Sequence, residues 1–163
     1  EVAHFENVRK HIPGYEEFDK KTIESLLSMG LLQVSTAAEY AVAYCSGTCV
    51  VSRDSNDLSN GDDVKLSSVR TCSYGKRYSA PVTGIKNKTG NLRVQVYDRK
   101  QNMFYYFVFP HESYKHIPSS SNIEIPFDIN GNPRRVPSRP VIQNWWNYEV
   151  STFEHMSTHT WSI

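Results

Sequence analysis

Long apolar runs are missing from this chain of 163 residues. A membrane-spanning helix needs about 20 consecutive apolar residues, and no stretch of the sequence approaches that length. The first residues, Glu1-Val2-Ala3-His4, also lack the layout of a secretory signal peptide. We therefore expect a protein that works in the cytoplasm and has no membrane partner.

Cysteine is scarce as well. Cys45, Cys49 and Cys72 are too few, and odd in number, for a disulfide framework, which favours a reducing compartment. A zinc site at the first two would need two more ligands, and no fixed spacing joins them to His111 and His116. We expect reduced thiols that serve as small packing groups.

A large excess of one charge sign is also lacking, because the net charge is only +1. The charges are nevertheless unevenly distributed: residues 64–101 hold nine Lys or Arg residues and a single acid, Asp98, whereas most acids lie in residues 1–63. Phosphates accept hydrogen bonds from charged and neutral donors alike, so this stretch predicts a surface that contacts a polyanion. A solubilising face is the alternative, but such faces usually mix both signs.

Hydrophobic periodicity divides the chain into three parts. Residues 1–47 have helical patterns, residues 48–110 alternate with a period of two, and the proline-rich residues 111–163 are expected to wrap the core as loops and short strands. The length favours one domain over residues 1–163. The order of elements predicts an α+β fold, or an α/β fold with a mixed central sheet.

Local signals place the elements within these parts. One helix is predicted over residues 16–29, before Gly30, and a second over residues 36–45, where Thr36 and Glu39 have the spacing of a capping box. Strands are predicted over residues 48–54, 62–69, 92–97 and 103–109, and a hairpin turn at Asn60-Gly61 is expected to join the first two.

The segment Asp63-Val64-Lys65 has the residue types that phosphodiester chemistry needs. Alternation along a strand puts Asp63 and Lys65 on one face and Val64 on the other, toward the core. Hydrolysis of a phosphodiester at neutral pH uses a divalent cation held by hard oxygen ligands, with a cation or base beside the attacking water. The alternative is a surface ion pair, worth about 0 to 1 kcal/mol.

The first arm of the predicted hairpin supplies a further carboxylate, whose identity depends on the turn. A three-residue loop over 59–61, with Gly61 in the left-handed region, puts Asp57 opposite Asp63 on the same face. A two-residue loop puts Asp54 there instead. We favour Asp57, and Asp54 remains open. Asp62 is interpreted as a solvated turn residue.

These residues resemble a known motif. Asn56-Asp57, followed after the turn by Asp63-Val64-Lys65, resembles the PD-(D/E)XK motif of the restriction-endonuclease-like nucleases, and residues 36–110 resemble small Type II restriction enzymes. Asparagine stands here where the motif has proline, and the spacing between the two aspartates is short. The resemblance implies a mixed sheet flanked by helices, Mg²⁺ as cofactor, and cleavage of double-stranded DNA.

The resemblance also implies roles for individual residues. Asp57 and Asp63 are the implied metal ligands, Lys65 orients or activates water, and Glu39 is the helix glutamate that often joins such sites. Glu39 has an equally good structural interpretation as the capping-box partner of Thr36.

The basic stretch supplies the expected DNA contacts, some to phosphates and some to base edges. A homodimer is expected, so that two sites meet two strands, with a cognate methyltransferase encoded nearby. Two alternatives stay open: a toxin-type nuclease acting on tRNA or nonspecific DNA, and a noncatalytic nucleic-acid-binding module. The residues expected to contact DNA are Arg70, Lys76, Arg77, Tyr78, Lys86, Asn87 and Lys88.

Overall fold

The computed structural model describes residues 2–14, 17–53, 55–71, 78–118, 123–127, 142 and 144–162. These residues form helices at both ends of the chain and strands between them. The α-helices are α1 (Val2–Val8), α2 (Lys20–Ser28), α3 (Val34–Ser46), α4 (His111–Tyr114) and α5 (Phe153–Thr158), with 3-10 turns at Arg9–His11 and Trp145–Tyr148.

The strands belong to two sheets. The main sheet has the order β1-β4-β5-β7, in which β1 runs parallel to β4 and the other neighbours are antiparallel. A smaller antiparallel sheet has the order β2-β3-β6. The strands are β1 (Asp63–Ser68), β2 (Arg70–Thr71), β3 (Tyr78–Val82), β4 (Leu92–Asp98), β5 (Met103–Phe109), β6 (Ile123–Phe127) and β7 (Glu149–Val150).

The main sheet is buried on both faces. Val64 of β1 and Val108 of β5 pack on one face with the apolar sides of α1, α3 and α5. Val94 of β4 and Phe107 of β5 lie in the cluster on the other face, which contains the apolar residues of β3 and β6 together with Trp145. Burial on both faces is expected of β5, which is almost continuously apolar, whereas β4 also buries the polar side chains of Arg93 and Gln95. The described part of the chain is therefore α+β with a mixed central sheet.

The predicted helices form with shifted boundaries. The Asp19 side chain accepts a hydrogen bond from the Thr22 backbone N–H, so α2 begins at Lys20 rather than near residue 16. Helix α3 begins at Val34, and the residue that caps its N-terminus is Gln33. Thr36 therefore lies inside the first turn. The capping box of Thr36 with Glu39 is wrong, which leaves Glu39 available for other contacts.

The predicted strand over residues 48–54 is wrong among its described residues. These residues form one isolated bridge, Val50 with Leu58, and a few backbone hydrogen bonds such as that from the Val51 N–H to the Asp57 carbonyl, but no strand. Ser52 has a φ of +50°, a left-handed conformation that an extended strand cannot include. The turn at Asn60-Gly61 does form, with a φ of +92° at Gly61. A long hairpin does not follow from it: the Asp57 and Leu58 N–H groups both donate to the Asp62 carbonyl, and the strand partner of β1 is β4.

None of the described helices is long and apolar enough to cross a membrane. Residues 111–163 contain the short strands β6 and β7, as expected, and also α4 and α5.

Candidate active site

The first residues of β1 carry the predicted acid and lysine. Lys65 Nζ lies 3.0 Å from Asp63 Oδ2, and it also donates a hydrogen bond to the backbone oxygen of Gly84 at 3.2 Å. Asp63 is only 2% exposed. A surface ion pair between solvated side chains therefore does not describe this contact, because the carboxylate is removed from water and depends on its ionic partners.

A second lysine contacts the same carboxylate. Lys88 Nζ lies 3.0 Å from Asp63 Oδ1, and the Lys88 side chain is 11% exposed. Each oxygen of Asp63 thus faces one ammonium group. Burial raises the pKa of Asp63, while Lys65 and Lys88 act in the opposite direction. Lys88 was predicted to contact DNA, and in this structure it lies against Asp63.

Asp57 also lies near Asp63, although it does not belong to a strand paired with β1. Its Oδ2 accepts a hydrogen bond of 2.9 Å from the backbone N–H of Val64. The backbone N–H groups of Asp57 and Leu58 both donate to the carbonyl of Asp62. Since β1 is at the edge of the described main sheet, these contacts give partners to the Val64 N–H and the Asp62 carbonyl on the side away from β4. Asp54, the alternative to Asp57, lies outside the described residues.

Glu39 joins these residues from α3. Burial, a hydrogen bond with Asp57 and the negative charges of Asp57 and Asp63 raise the pKa of Glu39 to about 8. The Glu39 carboxyl therefore retains a proton at neutral pH, and it forms a hydrogen bond with Asp57. We refer to Glu39, Asp57, Asp63 and Lys65 together with Lys88 as the β1 cluster.

Neighbouring Asp62 has a different environment, and its interpretation as a solvated turn residue is wrong. It is 4% exposed, and its Oδ2 accepts hydrogen bonds of 2.8 Å from Arg93. Arg93 also donates to the backbone carbonyls of Met156 and His159. Arg93 is 3% exposed and so cannot belong to a basic surface, although it lies within the basic stretch of the sequence.

A close backbone contact brings the loop of residues 83–91 to the start of β1. A Cβ atom on Gly90 would lie 2.1 Å from the carbonyl oxygen of Gly61, so a side chain does not fit there. The Tyr114 hydroxyl donates to the carbonyl of Gly90 at 2.6 Å and holds the same loop from α4. This packing positions Lys88 beside Asp63.

The other residues expected to contact DNA differ in their exposure to solvent. Arg70, Lys86 and Asn87 are exposed, as a phosphate-contacting role requires. Tyr78 is half-buried, and its ring lies 3.7 Å from the Lys100 ammonium. Lys76 and Arg77 lie outside the described residues.

The β1 cluster fits Mg²⁺ by the chemistry of its donors. Among the described residues, no group of three or more His, Cys, Asp or Glu side chains is arranged to hold a metal ion. Mg²⁺, however, keeps several waters and takes only one or two protein carboxylates, in sites that also include substrate phosphates. Asp57 and Asp63 are two such carboxylates close enough for their charges to interact.

Comparison with protein-family models, with curated proteins and with solved structures found no match to this chain. The site therefore rests on its own geometry. Sequence reasoning missed two contacts, the one between Lys88 and Asp63 and the one between Arg93 and Asp62. Both join residues more than 20 positions apart, and no local spacing signals such contacts.

Proposed function

We propose that this protein is a Mg²⁺-dependent endonuclease of the restriction-endonuclease-like class that cleaves double-stranded DNA, as a sequence-specific Type II enzyme does. One observation carries the proposal: α3, the loop before β1, and β1 bring Glu39, Asp57, Asp63 and Lys65 together. Three carboxylates and a lysine, largely shielded from water, are a costly arrangement that folding alone does not require.

In the proposed mechanism, Asp57 and Asp63 are the residues that would hold Mg²⁺. When bound, Mg²⁺ supplies charge stabilisation at the phosphate and a water of lowered pKa. Lys65 orients the attacking water through its ammonium group, which Asp63 and the Gly84 carbonyl fix from two directions. Glu39 holds its proton at neutral pH and donates a hydrogen bond to Asp57.

The exposed residues of the basic stretch support DNA as the substrate. Arg70, Lys86 and Asn87 are free to reach phosphates, and a charged donor contributes affinity without regard to sequence. We further propose a homodimer, because one β1 cluster cleaves one strand and duplex DNA has two strands. A restriction enzyme of this kind acts in the cytoplasm, where a cognate methyltransferase encoded nearby protects the host DNA.

The test is cleavage of plasmid DNA by the purified protein with Mg²⁺ or with EDTA. Discrete Mg²⁺-dependent fragments are expected from the wild type. Asp63→Asn should lose at least about 1000-fold in rate, which corresponds to about 4 kcal/mol of transition-state stabilisation. Lys65→Ala should lose about 100-fold or more, as for other residues that position a proton or water.

Matched controls come from the exposed face of α2. Glu24→Gln and Lys21→Ala remove the same groups from exposed positions and should cleave at the wild-type rate. Full activity in Asp63→Asn would contradict the site. Cleavage of tRNA without fragments from DNA would favour a toxin-type nuclease, and binding without cleavage of DNA or RNA would favour a noncatalytic module.

A further inference from the structure

Asp63 has two lysine partners, one more than the proposed reaction uses. Lys65 reaches Asp63 from the same face of the same strand, two residues along the chain. Lys88 comes from the separate loop of residues 83–91, and its ammonium is 3.0 Å from Asp63 Oδ1.

The position of Lys88 conflicts with that of a metal ligated by Asp63. Mg²⁺ binds carboxylate oxygens at about 2.1 Å, so an ion on Asp63 Oδ1 would lie at most about 5 Å from Lys88 Nζ in its present position. Charges of the same sign repel strongly at that distance in a site with little water. Either the ammonium moves or the cation binds weakly.

We infer that Lys88 is a resident counter-ion of Asp63 that a divalent cation displaces, and that the displaced ammonium becomes available to a DNA phosphate. The inference rests on the proposed function, because the cation that displaces Lys88 is the Mg²⁺ that the proposed reaction requires at Asp63. Lys65 stays in place, since the proposed reaction uses its ammonium group to orient the attacking water. Lys88 thereby couples cation binding to DNA binding. A bound cation releases the Lys88 ammonium for a phosphate, and a bound phosphate holds that ammonium away from Asp63, so each ligand raises the affinity for the other.

Two features place Lys88 near the expected path of DNA. Its neighbour Asn87 has a φ of +65°, so the peptide chain turns sharply in an exposed part of the loop just before Lys88. The exposed residues Lys86 and Asn87 are on the same loop, which places the loop beside the expected path of DNA. A short movement of a long side chain can then carry its charge from Asp63 toward a phosphate.

The test measures cation binding without DNA and without cleavage. Ca²⁺ is titrated into the wild type, Lys88→Met and Lys88→Arg by isothermal calorimetry. Lys88→Met should bind Ca²⁺ about tenfold more tightly than the wild type, because a competing positive charge is gone. Lys88→Arg keeps that charge and should stay within about twofold of the wild type. Lys88→Gln is a second neutral variant, in case the first one does not fold.

Two controls separate the possible results. Lys86→Met removes the same charge from an exposed position of the same loop, and its Ca²⁺ affinity should change by less than about twofold because exposed charges are screened. Asp63→Asn should lose Ca²⁺ binding. If the wild type and both neutral Lys88 variants bind Ca²⁺ equally through Asp63, the inference is wrong while the proposed function stands. If none of these proteins binds a divalent cation, both are overturned.

Discussion

Asp62 and Asp63 are adjacent in the sequence, equally buried and paired with opposite charges, but their partners differ in kind. Asp62 binds a guanidinium group that is itself fixed by the carbonyls of Met156 and His159. Asp63 binds two ammonium groups at the ends of long, flexible side chains. A fully bonded guanidinium cannot leave without exposing several buried polar groups, whereas an ammonium can exchange its carboxylate for water or phosphate. The first pair is structural, and the second is suited to exchange.

The largest expected effect comes from breaking the structural pair of Asp62 and Arg93. Asp62→Asn leaves the Arg93 guanidinium buried without a counter-charge and should lower the free energy of unfolding by roughly 3 to 5 kcal/mol. Asp63→Asn should cost less, roughly 1 to 3 kcal/mol, because the side chains of Lys65 and Lys88 are 20% and 11% exposed, against 3% for Arg93, and have a shorter way to water. Urea unfolding in EDTA measures both. Equal losses in the two variants would remove the distinction between the two aspartates.

A smaller effect is expected where the loop of residues 83–91 meets the start of β1. Gly90→Ala puts a methyl group against the backbone of Gly61, which must shift, and should cost roughly 1 to 3 kcal/mol. The same shift moves Lys88 away from Asp63, so DNA cleavage should change as well. Thr89→Ala is a control on the same loop at an exposed position. Wild-type stability in Gly90→Ala would show that the backbones of Gly90 and Gly61 can move apart at little cost.

The smallest expected effect concerns Glu39 and pH. Its pKa is about 8 in the folded protein against an ordinary value of 4.5, so the folded state binds this proton more tightly than the unfolded state does. Glu39 therefore lowers stability as the pH rises from about 5 to 8. Glu39→Gln cannot titrate, and it should gain stability relative to the wild type over that range. The gain should be roughly 1 to 2 kcal/mol, reduced by the partial solvent exposure of the carboxyl.

Urea unfolding of the wild type and Glu39→Gln at pH 5 and pH 8, in EDTA, checks this prediction. Glu24→Gln is the control, since it removes an exposed carboxyl of α2. Parallel pH profiles for the wild type and Glu39→Gln would mean that Glu39 does not retain its proton.

Elements with local partners could be predicted from the sequence. Strands β4 and β5 were expected at nearly their observed positions, because an apolar pair joined by a short polar loop forms a hairpin from neighbouring residues. Helix α3 was expected within two residues of its start. The strand over residues 48–54 was predicted by the same reasoning and is wrong: Ser52 adopts a left-handed conformation, and Asp57 and Leu58 contact the start of β1 on the side away from β4.

The sequence by itself determined that Asp63 and Lys65 share one face, because the alternation of a strand depends only on its own backbone. Only the tertiary structure decided which residues join them. Glu39 comes from a helix 24 positions before Asp63 and Lys88 from a loop 25 positions after it. The pairing of Arg93 with Asp62 follows from the parallel register of β1 and β4. Such contacts depend on how separate elements pack, and the local spacing of residues in the sequence does not predict that packing.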